Sequence, residues 1–390
     1  MLTLLRNAHV YAPADMGRQD LLIADGRVAA MAPSLPAIPA ELPHTEIDGS
    51  DRLVIPGLID AHVHATGGGG EAGPETRVPR IALSHLTEAG VTSCVGVLGT
   101  DGTTRTIRDL VATTLGLRAD GMNAWCYTGS YQIPPPTLTG SVRDDIVFVD
   151  PIIGVGELAL SDHRSSQPTL EEFLRVASDA YVAGIISNKA GVVHCHMGSG
   201  ERGFSMLHDA LDSAEIPARV YHPTHINRER WLFEAAPKLA RRGCTVDLTA
   251  FPDDGDTLVA SDAIMQWLEG GHPMDKLTCS SDGAGCLPTF DQHGRLIKMD
   301  IGRPITLLHT IQTLLAAGVA LETVLPVFTS NVADTLCLSG RGRIHVGAHA
   351  DLAVIEPTGQ LVHLLANGKA MVRDGSPCVQ GCFENKIVTS

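Results

Sequence analysis

The sequence lacks any apolar run near the roughly 18–20 residues that a helix needs to cross a bilayer. Its first residues also lack the basic segment of a signal peptide, so a cytoplasmic location is expected. Positive charge is scarce, because 29 Lys and Arg stand against 44 Asp and Glu, which gives a formal net charge of −15. Nucleic acids and anionic membranes attract cationic surfaces, so neither is an expected partner.

The cysteines do not indicate a disulfide framework. There are nine of them, scattered along the chain and in several cases surrounded by apolar residues, which is typical of reduced, buried thiols. Cys378 and Cys382 form a C-x3-C pair, but a metal or redox role is not favoured without a second pair. The length of 390 residues allows one large domain with a small appendage.

Strand-like and helical segments alternate through the middle of the chain. Val91–Val97 and Val192–His196 are apolar, strand-like runs, and Leu170–Ala183 is a predicted helix with a capping box at its start. A second helix is predicted over Arg77–Glu88, closed by Gly90. Repeated units of this kind predict the α/β class and a (β/α)8 TIM barrel. The alternative is a doubly wound sheet, which would hold ligands in one crevice.

Both ends of the chain have the pattern of short strands and turns. Asp25-Gly26 and Asn367-Gly368 are typical of tight hairpin turns between apolar runs. The two ends are therefore predicted to build one small β-sandwich domain, from residues 1–53 and 343–390, beside a barrel of residues 54–342.

The apolar run that ends in His62 and His64 carries the strongest functional signal. Side chains alternate between the two faces of a strand, so two histidines spaced i, i+2 point to the same side. Neutral imidazole is a standard ligand of zinc and related metals. The pair therefore predicts half of a metal site.

Further candidate ligands follow at the ends of later strand-like runs. His196 lies nearer the carboxyl end of its run than His194, and barrel enzymes place their chemistry at that end, so His194 is expected to be packed instead. His225 is favoured over His222. A lone Asp-Gly is usually a turn, but the position of Asp282 after a series of histidines makes it a candidate ligand and base.

This order of ligands along the barrel resembles the amidohydrolase superfamily. The flanking segments are more specific, because Gly67–Gly70 with Glu71, Ser161–Arg164 and Pro223–Arg228 resemble the bacterial isoaspartyl dipeptidase family. The resemblance extends along nearly the whole chain. The four glycines are not a phosphate loop, since no Gly-Lys-Ser/Thr follows them.

Two positions depart from the family pattern. The family bridges its two metal ions with a carbamylated lysine on the fourth strand, where this chain has Glu157 and no lysine before Lys189. A glutamate is a carboxylate on a shorter arm, so Glu157 is expected to bridge the ions. The alternative is a structural Glu157 beside a single metal. Cys286 stands among the substrate-binding residues at a position where the family pattern has serine.

The resemblance implies two divalent ions per subunit, expected to be zinc. His62, His64 and Asp282 are assigned to the more buried ion, and His196 and His225 to the other. Two such ions lower the pKa of a shared water toward about 7, and the resulting bridging hydroxide attacks the scissile carbonyl. Asp282 is expected to take the proton of this hydroxide and to give it to the leaving amine.

The implied substrate is a β-aspartyl (isoaspartyl) dipeptide, which carries one ammonium and two carboxylate groups. Glu71 suits the ammonium, and the guanidinium groups of Arg164 and Arg228 suit the carboxylates. Tyr131, from a loop rich in Gly and Pro, is expected to hydrogen-bond the developing oxyanion. The further substrate contacts that the family pattern implies are Gly69, Thr100 and Cys286.

The predicted function is therefore zinc-dependent hydrolysis of β-aspartyl dipeptides, by a homo-oligomer as the resemblance implies. The alternative is another amidohydrolase activity, on an N-acyl amino acid, a cyclic imide or a deaminase substrate, because both departures fall within the predicted site. A non-enzymatic assembly protein is not favoured, since the chain retains the complete set of His and acidic ligands.

Overall fold

The computed structural model of the protein describes residues 2–253, 257–290 and 295–384. The strands, in chain order, are β1 (Leu2–Tyr11), β2 (Asp15–Ala24), β3 (Arg27–Ala32), β4 (His44–Asp48), β5 (Leu53–Pro56), β6 (Leu58–Val63), β7 (Val91–Gly96), β8 (Asn123–Thr128), β9 (Ile152–Leu160), β10 (Val192–Met197), β11 (Tyr221–Thr224), β12 (Val246–Thr249), β13 (Leu277–Ser280), β14 (Cys286–Phe290), β15 (Leu296–Ile301), β16 (Leu352–Ile355), β17 (Leu361–Ala366), β18 (Lys369–Arg373) and β19 (Ser376–Pro377). The helices are α1 (Leu83–Thr87), α2 (Ile107–Asp120), α3 (Val142–Phe148), α4 (Leu170–Ser187), α5 (Ser205–Ser213), α6 (Arg230–Arg241), α7 (Ala260–Glu269), α8 (Ile305–Ala316), α9 (Leu321–Phe328) and α10 (Ser330–Thr335).

The parallel strands of the chain curl around one interior. Strands β6 to β11 form a sheet in which each strand pairs in parallel with the next one along the chain. β12 and β13 form a second parallel pair, in which β12 lies beside β11 and β13 beside β6. Val63 of β6 also forms a parallel bridge with Gly283. The predicted α/β class is confirmed. The strands lie side by side in the same order as along the chain, whereas in a doubly wound sheet the strand order reverses at a switch point.

Several of these strands are buried along their whole length. Every residue of β6, β9 and β10 is buried, which is typical of parallel strands that are covered on both faces. The charged residue within β9, Glu157, is 1% exposed. A buried charge is costly unless it is paired, so its position already points to a specific role in the interior.

Of the helix predicted over Arg77–Glu88, only the second half forms, as α1, and Gly90 follows it with a positive φ of 75°; the first half is not helical. The N–H of Val78 donates to the carbonyl of Gly68 at 2.9 Å, and the preceding residue forms an antiparallel bridge with Gly69. These hydrogen bonds hold the segment against the glycine loop in an extended form. Sequence periodicity does not report such a pairing with a distant loop.

Helix α4 begins at the predicted capping box. The N–H of Thr169 donates to the Glu172 carboxylate at 2.8 Å, and the Thr169 hydroxyl accepts the N–H of Glu172. The helix continues beyond Ala183 to Ser187, where Asn188 takes a left-handed φ of 55° and ends it. Neither this helix nor any other in the described part of the chain is long and apolar enough to cross a bilayer.

Strands from both ends of the chain build a β-rich domain. They join in the order β19-β18-β17-β16-β5-β1-β2-β3, with β4 paired to β1. β5 connects the two ends because it pairs in parallel with β1 and antiparallel with β16. The predicted sandwich is therefore one continuous hydrogen-bonded sheet, and its core includes Leu5, Leu21, Val54, Leu352 and Leu365. The predicted domain boundaries stay predictions.

Candidate metal centre and active site

The candidate residues lie at or beyond the carboxyl ends of the parallel strands. This is the end at which barrel enzymes hold their active sites, because the loops there can vary without disturbing the barrel. In chain order these residues are His62, His64, Gly69, Glu71, Thr100, Tyr131, Glu157, Arg164, His196, His225, Arg228, Asp282 and Cys286.

The two histidines of the first parallel strand converge as their spacing predicts. The Nε2 atoms of His62 and His64 are 3.3 Å apart, and both side chains are buried. The N–H of His64 donates to the carbonyl of Gly283 at 2.8 Å, which ties this strand to the loop after β13. The backbone itself therefore brings the first and the last ligand segments together.

Asp282 completes this first group. Its Oδ1 lies 3.0 Å from Nε2 of His64 and 3.4 Å from Nε2 of His62. Burial opposes ionisation of the Asp282 carboxyl, but the close His64 and the charges of the neighbouring histidines lower its pKa to about 2. A Cβ at Gly285 would lie 2.1 Å from the Asp282 Oδ1, so glycine is required for this close approach.

Glu157 lies between two pairs of histidines. Its Oε1 is 3.5 Å from Nε2 of His62 and 3.6 Å from Nε2 of His64. Its Oε2 is 3.2 Å from Nδ1 of His196 and 3.6 Å from Nε2 of His225. Burial alone would raise the pKa of the Glu157 carboxyl, but the histidines hold it well below its usual range. Each carboxylate oxygen thus faces one pair.

The second pair has additional polar neighbours. His196 lies 2.8 Å, through Nδ1, from the Tyr131 hydroxyl and 3.0 Å, through Nε2, from the Asp162 carboxylate. Nδ1 of His225 lies 2.6 Å from the Thr249 hydroxyl. Burial lowers the pKa of His225 to about 3, so this imidazole is neutral and keeps a lone pair for a cation.

The arrangement fits divalent cations. Ligand atoms of His62, His64 and Asp282 lie within 4.8 Å of one another, as do those of His62, Glu157 and His225. The Asp282 Oδ1 is buried and makes no hydrogen bond to any described residue, although two imidazole nitrogens lie close to it. Imidazole nitrogens and carboxylate oxygens that converge in this way are matched by a cation. Imidazole and carboxylate ligands suit zinc and neighbouring transition metals.

A row of fixed charges borders the cluster. Arg164 donates to both oxygens of Asp162, at 3.0 and 2.8 Å, and its Nη1 lies 3.6 Å from the Glu71 carboxylate. The Thr100 hydroxyl donates to Glu71 at 3.1 Å. The other Glu71 oxygen, Oε2, is buried and has no hydrogen-bond partner among the described residues. Glu71 therefore retains an acceptor for a donor group from a ligand.

The remaining predicted substrate residues are spread along the same rim. The Arg228 guanidinium lies 5.8 Å above the Phe251 ring, and its Nε is buried without a hydrogen-bond partner among the described residues. Burial raises the pKa of the Cys286 thiol to about 12, so it stays a neutral thiol. Gly69 pairs with the backbone of Arg77. The N–H of Gly68 donates to Ala284 at 2.8 Å, which holds the glycine loop beside the Asp282 loop.

The structure also reveals polar residues that the sequence did not single out for the site. Asp60 accepts the N–H and the hydroxyl of Ser281, one residue before Asp282, and burial raises the pKa of Asp60 to about 6. Asp162 contacts both His196 and Arg164. Asp60 lies two residues before His62 on the same strand, so the same i, i+2 rule that links His62 to His64 could have found it, whereas Asp162 lies in the turn after β9, where strand alternation gives no signal. Four further polar residues are linked to the cluster by hydrogen bonds: His194, His222, Asp247 and Thr278.

Comparison with known proteins gives one family over the full length of the chain. A crystal structure of β-aspartyl dipeptidase from Fervidobacterium islandicum AW-1, in complex with β-Asp-Leu dipeptide, is 42% identical. Its TM-score is 0.93, and the match covers 97% of each chain. A second structure of the dipeptidase from this organism is 40% identical, with a TM-score of 0.89 and coverage of 97% of this chain and 98% of that one.

A more distant structural match supports the fold alone, and the sequence matches to curated proteins cover only part of the chain. Dihydropyrimidinase from Brevibacillus agri NCHU1002 has a TM-score of 0.66 at 15% identity, over 98% of this chain and 97% of that one. Among curated proteins, N-acyl-D-glutamate deacylase of Alcaligenes xylosoxydans xylosoxydans is 27% identical over 228 residues, which are 56% of this chain and 42% of the deacylase. Dihydroorotase of Ligilactobacillus salivarius is 39% identical over 64 residues, 16% of this chain and 15% of that enzyme. No family model matches the chain.

Proposed function

Since the chain belongs to the β-aspartyl dipeptidase family of the amidohydrolase superfamily, we propose that it hydrolyses β-aspartyl dipeptides in a metal-dependent reaction. The main support for this proposal is the row of charged side chains beside the His/acid cluster. Glu71 retains a buried acceptor oxygen, and Arg164 and Arg228 provide two guanidinium groups. One fixed anion and two fixed cations complement the one ammonium and two carboxylates of a β-aspartyl dipeptide.

Two zinc ions per subunit, with Glu157 between them, are the proposed cofactors. The proposal is supported by the division of the Glu157 oxygens between the His62/His64 pair and the His196/His225 pair. The chemistry that divalent cations supply when bound at such a site is activation of water and polarisation of a carbonyl. The one-metal alternative would leave one Glu157 oxygen facing two buried imidazoles without a cation to share.

Asp282 is proposed to transfer the proton during hydrolysis, and Tyr131 to stabilise the developing oxyanion. Asp282 lies within 3.4 Å of both histidines of the first pair and, with its low pKa, is a carboxylate at neutral pH. In that form it can accept the proton of the attacking water and return it to the leaving amine. Burial raises the pKa of Tyr131 well above its usual value, so its hydroxyl keeps the proton that it would donate to a developing oxyanion.

Substrate contacts follow from the same charges. Glu71 would accept the α-ammonium, while Arg164 and Arg228 would pair with the carboxylates. Asp162 holds Arg164 through both of its oxygens, which fixes the orientation of the guanidinium group. The further contacts proposed for the dipeptide are Gly69, Thr100 and Cys286.

We also infer that the eight parallel strands close into a (β/α)8 barrel. The inference is supported at one junction by the bridge between Val63 and Gly283. At the other junction, the N–H of Ile226, which follows β11, donates to the backbone carbonyl of Asp247 in β12 at 3.2 Å. A homo-oligomer and a cytoplasmic location stay predictions from the sequence and its family resemblance.

The direct experiment is hydrolysis of β-Asp-Leu and α-Asp-Leu by the zinc-loaded protein, with and without a chelator. We expect cleavage of the β-linked dipeptide alone and loss of activity when zinc is removed. Failure to cleave any β-aspartyl dipeptide would refute the proposal. Cleavage of N-acyl amino acids instead would favour the second candidate, for which the partial similarity to N-acyl-D-glutamate deacylase gives a specific reason.

A further inference from the structure

Three buried histidines, His62, His194 and His222, contact one another in a row, here called the histidine file, that extends from the His/acid cluster into the interior. Nδ1 of His62, on β6, lies 2.8 Å from Nε2 of His194 on β10. Nδ1 of His194 in turn lies 3.1 Å from Nδ1 of His222 on β11. All three side chains are fully buried. Imidazoles in direct contact inside a protein must share their protons in an ordered way, because each contact needs one donor and one acceptor.

The file continues to a buried carboxylate. Nε2 of His222 lies 3.0 Å from the Thr278 hydroxyl, which donates to the Asp247 carboxylate at 2.6 Å. The other oxygen of Asp247 accepts the hydroxyls of Thr224 and Ser280. Asp247 is fully buried, so the chain of hydrogen bonds ends inside the barrel.

The carboxylate sets the direction of every bond in the file. The Thr278 hydroxyl donates its one proton to Asp247, so its oxygen must accept from Nε2–H of His222. His222 then has a lone pair on Nδ1, which accepts Nδ1–H of His194. His194 in turn accepts, through Nε2, the Nδ1–H of His62.

The last step leaves the proton of His62 on Nδ1 and the lone pair on Nε2. This Nε2 is the atom that lies 3.3 Å from the His64 Nε2 and 3.4 Å from the Asp282 Oδ1. The hydrogen bonds that start at Asp247 therefore orient this lone pair toward the cluster. Metal-bound histidines usually donate their second N–H to a carboxylate or a carbonyl. Here the carboxylate acts through two imidazoles and a hydroxyl.

We infer that His194 is a positioning residue that holds His62 in the metal-binding tautomer, supported in turn by His222, Thr278 and Asp247. The inference rests on the metal centre of the proposed function and adds to it a group that touches neither substrate nor metal. The opposing view is that His194 only fills space, since its ring also stacks on Tyr127 with a centroid distance of 5.1 Å.

The experiment compares the zinc dissociation constants of purified variants in competition with a chromophoric chelator. His194→Phe keeps a planar ring but removes the acceptor, so the Nδ1–H of His62 loses its partner. We expect zinc binding at the first site to weaken by roughly 10- to 100-fold. His194→Gln restores an acceptor near the position of Nε2 and should recover most of this loss.

Tyr127→Phe is the matched control. It keeps the ring that stacks on His194, and the Tyr127 hydroxyl has no hydrogen-bond partner among the described residues. Zinc affinity should not change in this variant. A space-filling role for His194 predicts the reverse pattern, in which His194→Phe lowers the melting temperature of the zinc-free protein but leaves the zinc dissociation constant unchanged.

Thr278→Val provides a second test that does not alter any histidine. It breaks the link to Asp247 and should weaken zinc binding in the same direction as His194→Phe, but less. If His194→Phe does not fold, Thr278→Val alone decides, and unchanged zinc affinity overturns the inference. Hydrolysis of β-Asp-Leu by the wild type is recorded separately. If zinc affinity depends on His194 and Thr278 but β-Asp-Leu is not cleaved, the proposed function is refuted and the inference stands.

Discussion

The two halves of the histidine cluster are held in different ways. In the half with His62 and His64, the backbone fixes the geometry, because the N–H of His64 donates to Gly283 at 2.8 Å. Asp60 adds a second tie to the same loop through Ser281. This half is assembled by strand pairing and by buried hydrogen bonds that involve no substrate residue.

The half with His196 depends instead on side chains. His196 lies 2.8 Å from the Tyr131 hydroxyl and 3.0 Å from Asp162, which also binds Arg164. Arg164 and Tyr131 are both proposed to contact the substrate. The first half is thus fixed by the fold itself, whereas the second half is coupled to the groups that are proposed to recognise the dipeptide. Changes in the second half should therefore alter zinc binding and substrate binding together.

The largest expected effect comes from disabling the first half with Asp282→Asn. The amide cannot accept the proton of the attacking water, so kcat for β-Asp-Leu should fall by about 10²- to 10⁴-fold, the usual contribution of a general base. The measurement is kcat at saturating zinc and substrate. The exposed Asp209→Asn is the control for the loss of one acidic group and should retain full activity. A kcat for Asp282→Asn close to the wild-type value would remove Asp282 from the reaction.

Asp162→Asn and Asp60→Asn together test most specifically whether the two halves of the cluster are held in different ways. Asp162→Asn removes the charge beside His196 and should weaken one zinc site by roughly 10- to 100-fold, while the other site is retained. It should also raise KM, because Arg164 loses its bidentate partner. Asp60→Asn should instead lower the free energy of unfolding by about 1–3 kcal/mol, since it disturbs buried hydrogen bonds at the first half.

Zinc titration and thermal unfolding of both Asp variants measure these effects. Equal losses of zinc affinity and stability in the two variants would show that the halves are not built differently.

Glu71→Gln is expected to act on substrate recognition, because Glu71 contacts Arg164 and Thr100 at the rim of the cluster. A hydrogen bond to a charged group is worth about 1.5–3 kcal/mol, so kcat/KM for β-Asp-Leu should fall by about 10- to 100-fold. Zinc content should stay the same. A dipeptide analogue without the α-amino group is the control substrate, and its hydrolysis should be equally slow in both proteins. Unchanged kcat/KM for β-Asp-Leu would point to a substrate that lacks this group.

The smallest effect is expected from Cys286→Ser. Burial keeps the Cys286 thiol neutral, and a serine hydroxyl would replace a weak donor by a stronger one. A neutral hydrogen bond contributes about 0.5–1.5 kcal/mol, so kcat/KM should change by less than about tenfold. The kinetics of this variant measure the change directly. A loss comparable to that of Glu71→Gln would give Cys286 a larger role in substrate binding than a single neutral contact.

The ligand segments could be predicted from the sequence where local rules apply. The alternation of a strand brings His62 and His64 together, and the capping box of α4 lies where Thr169 indicates. These features depend on neighbours within a few residues along the chain. The same dependence explains the failure in the first half of Arg77–Glu88, where hydrogen bonds to the glycine loop replace the helix.

Contacts between distant strands could not be predicted in this way. His194 was expected to be packed, and it is buried, but its hydrogen bond to His62 joins residues 132 positions apart. The pairing of Asp247 with Thr278 likewise depends on how β12 and β13 align. The family resemblance placed Glu157 at the cluster. Only the structure shows that its two oxygens face different histidine pairs.

The most direct test is a zinc titration of the metal-free protein, in which bound zinc per subunit and the rate of β-Asp-Leu hydrolysis are measured in the same samples. We predict that two zinc ions bind and that activity reaches its maximum only when both sites are filled, with no cleavage of α-Asp-Leu at any ratio. Binding of two zinc ions without β-Asp-Leu hydrolysis, or full hydrolysis in the absence of metal, would contradict the account.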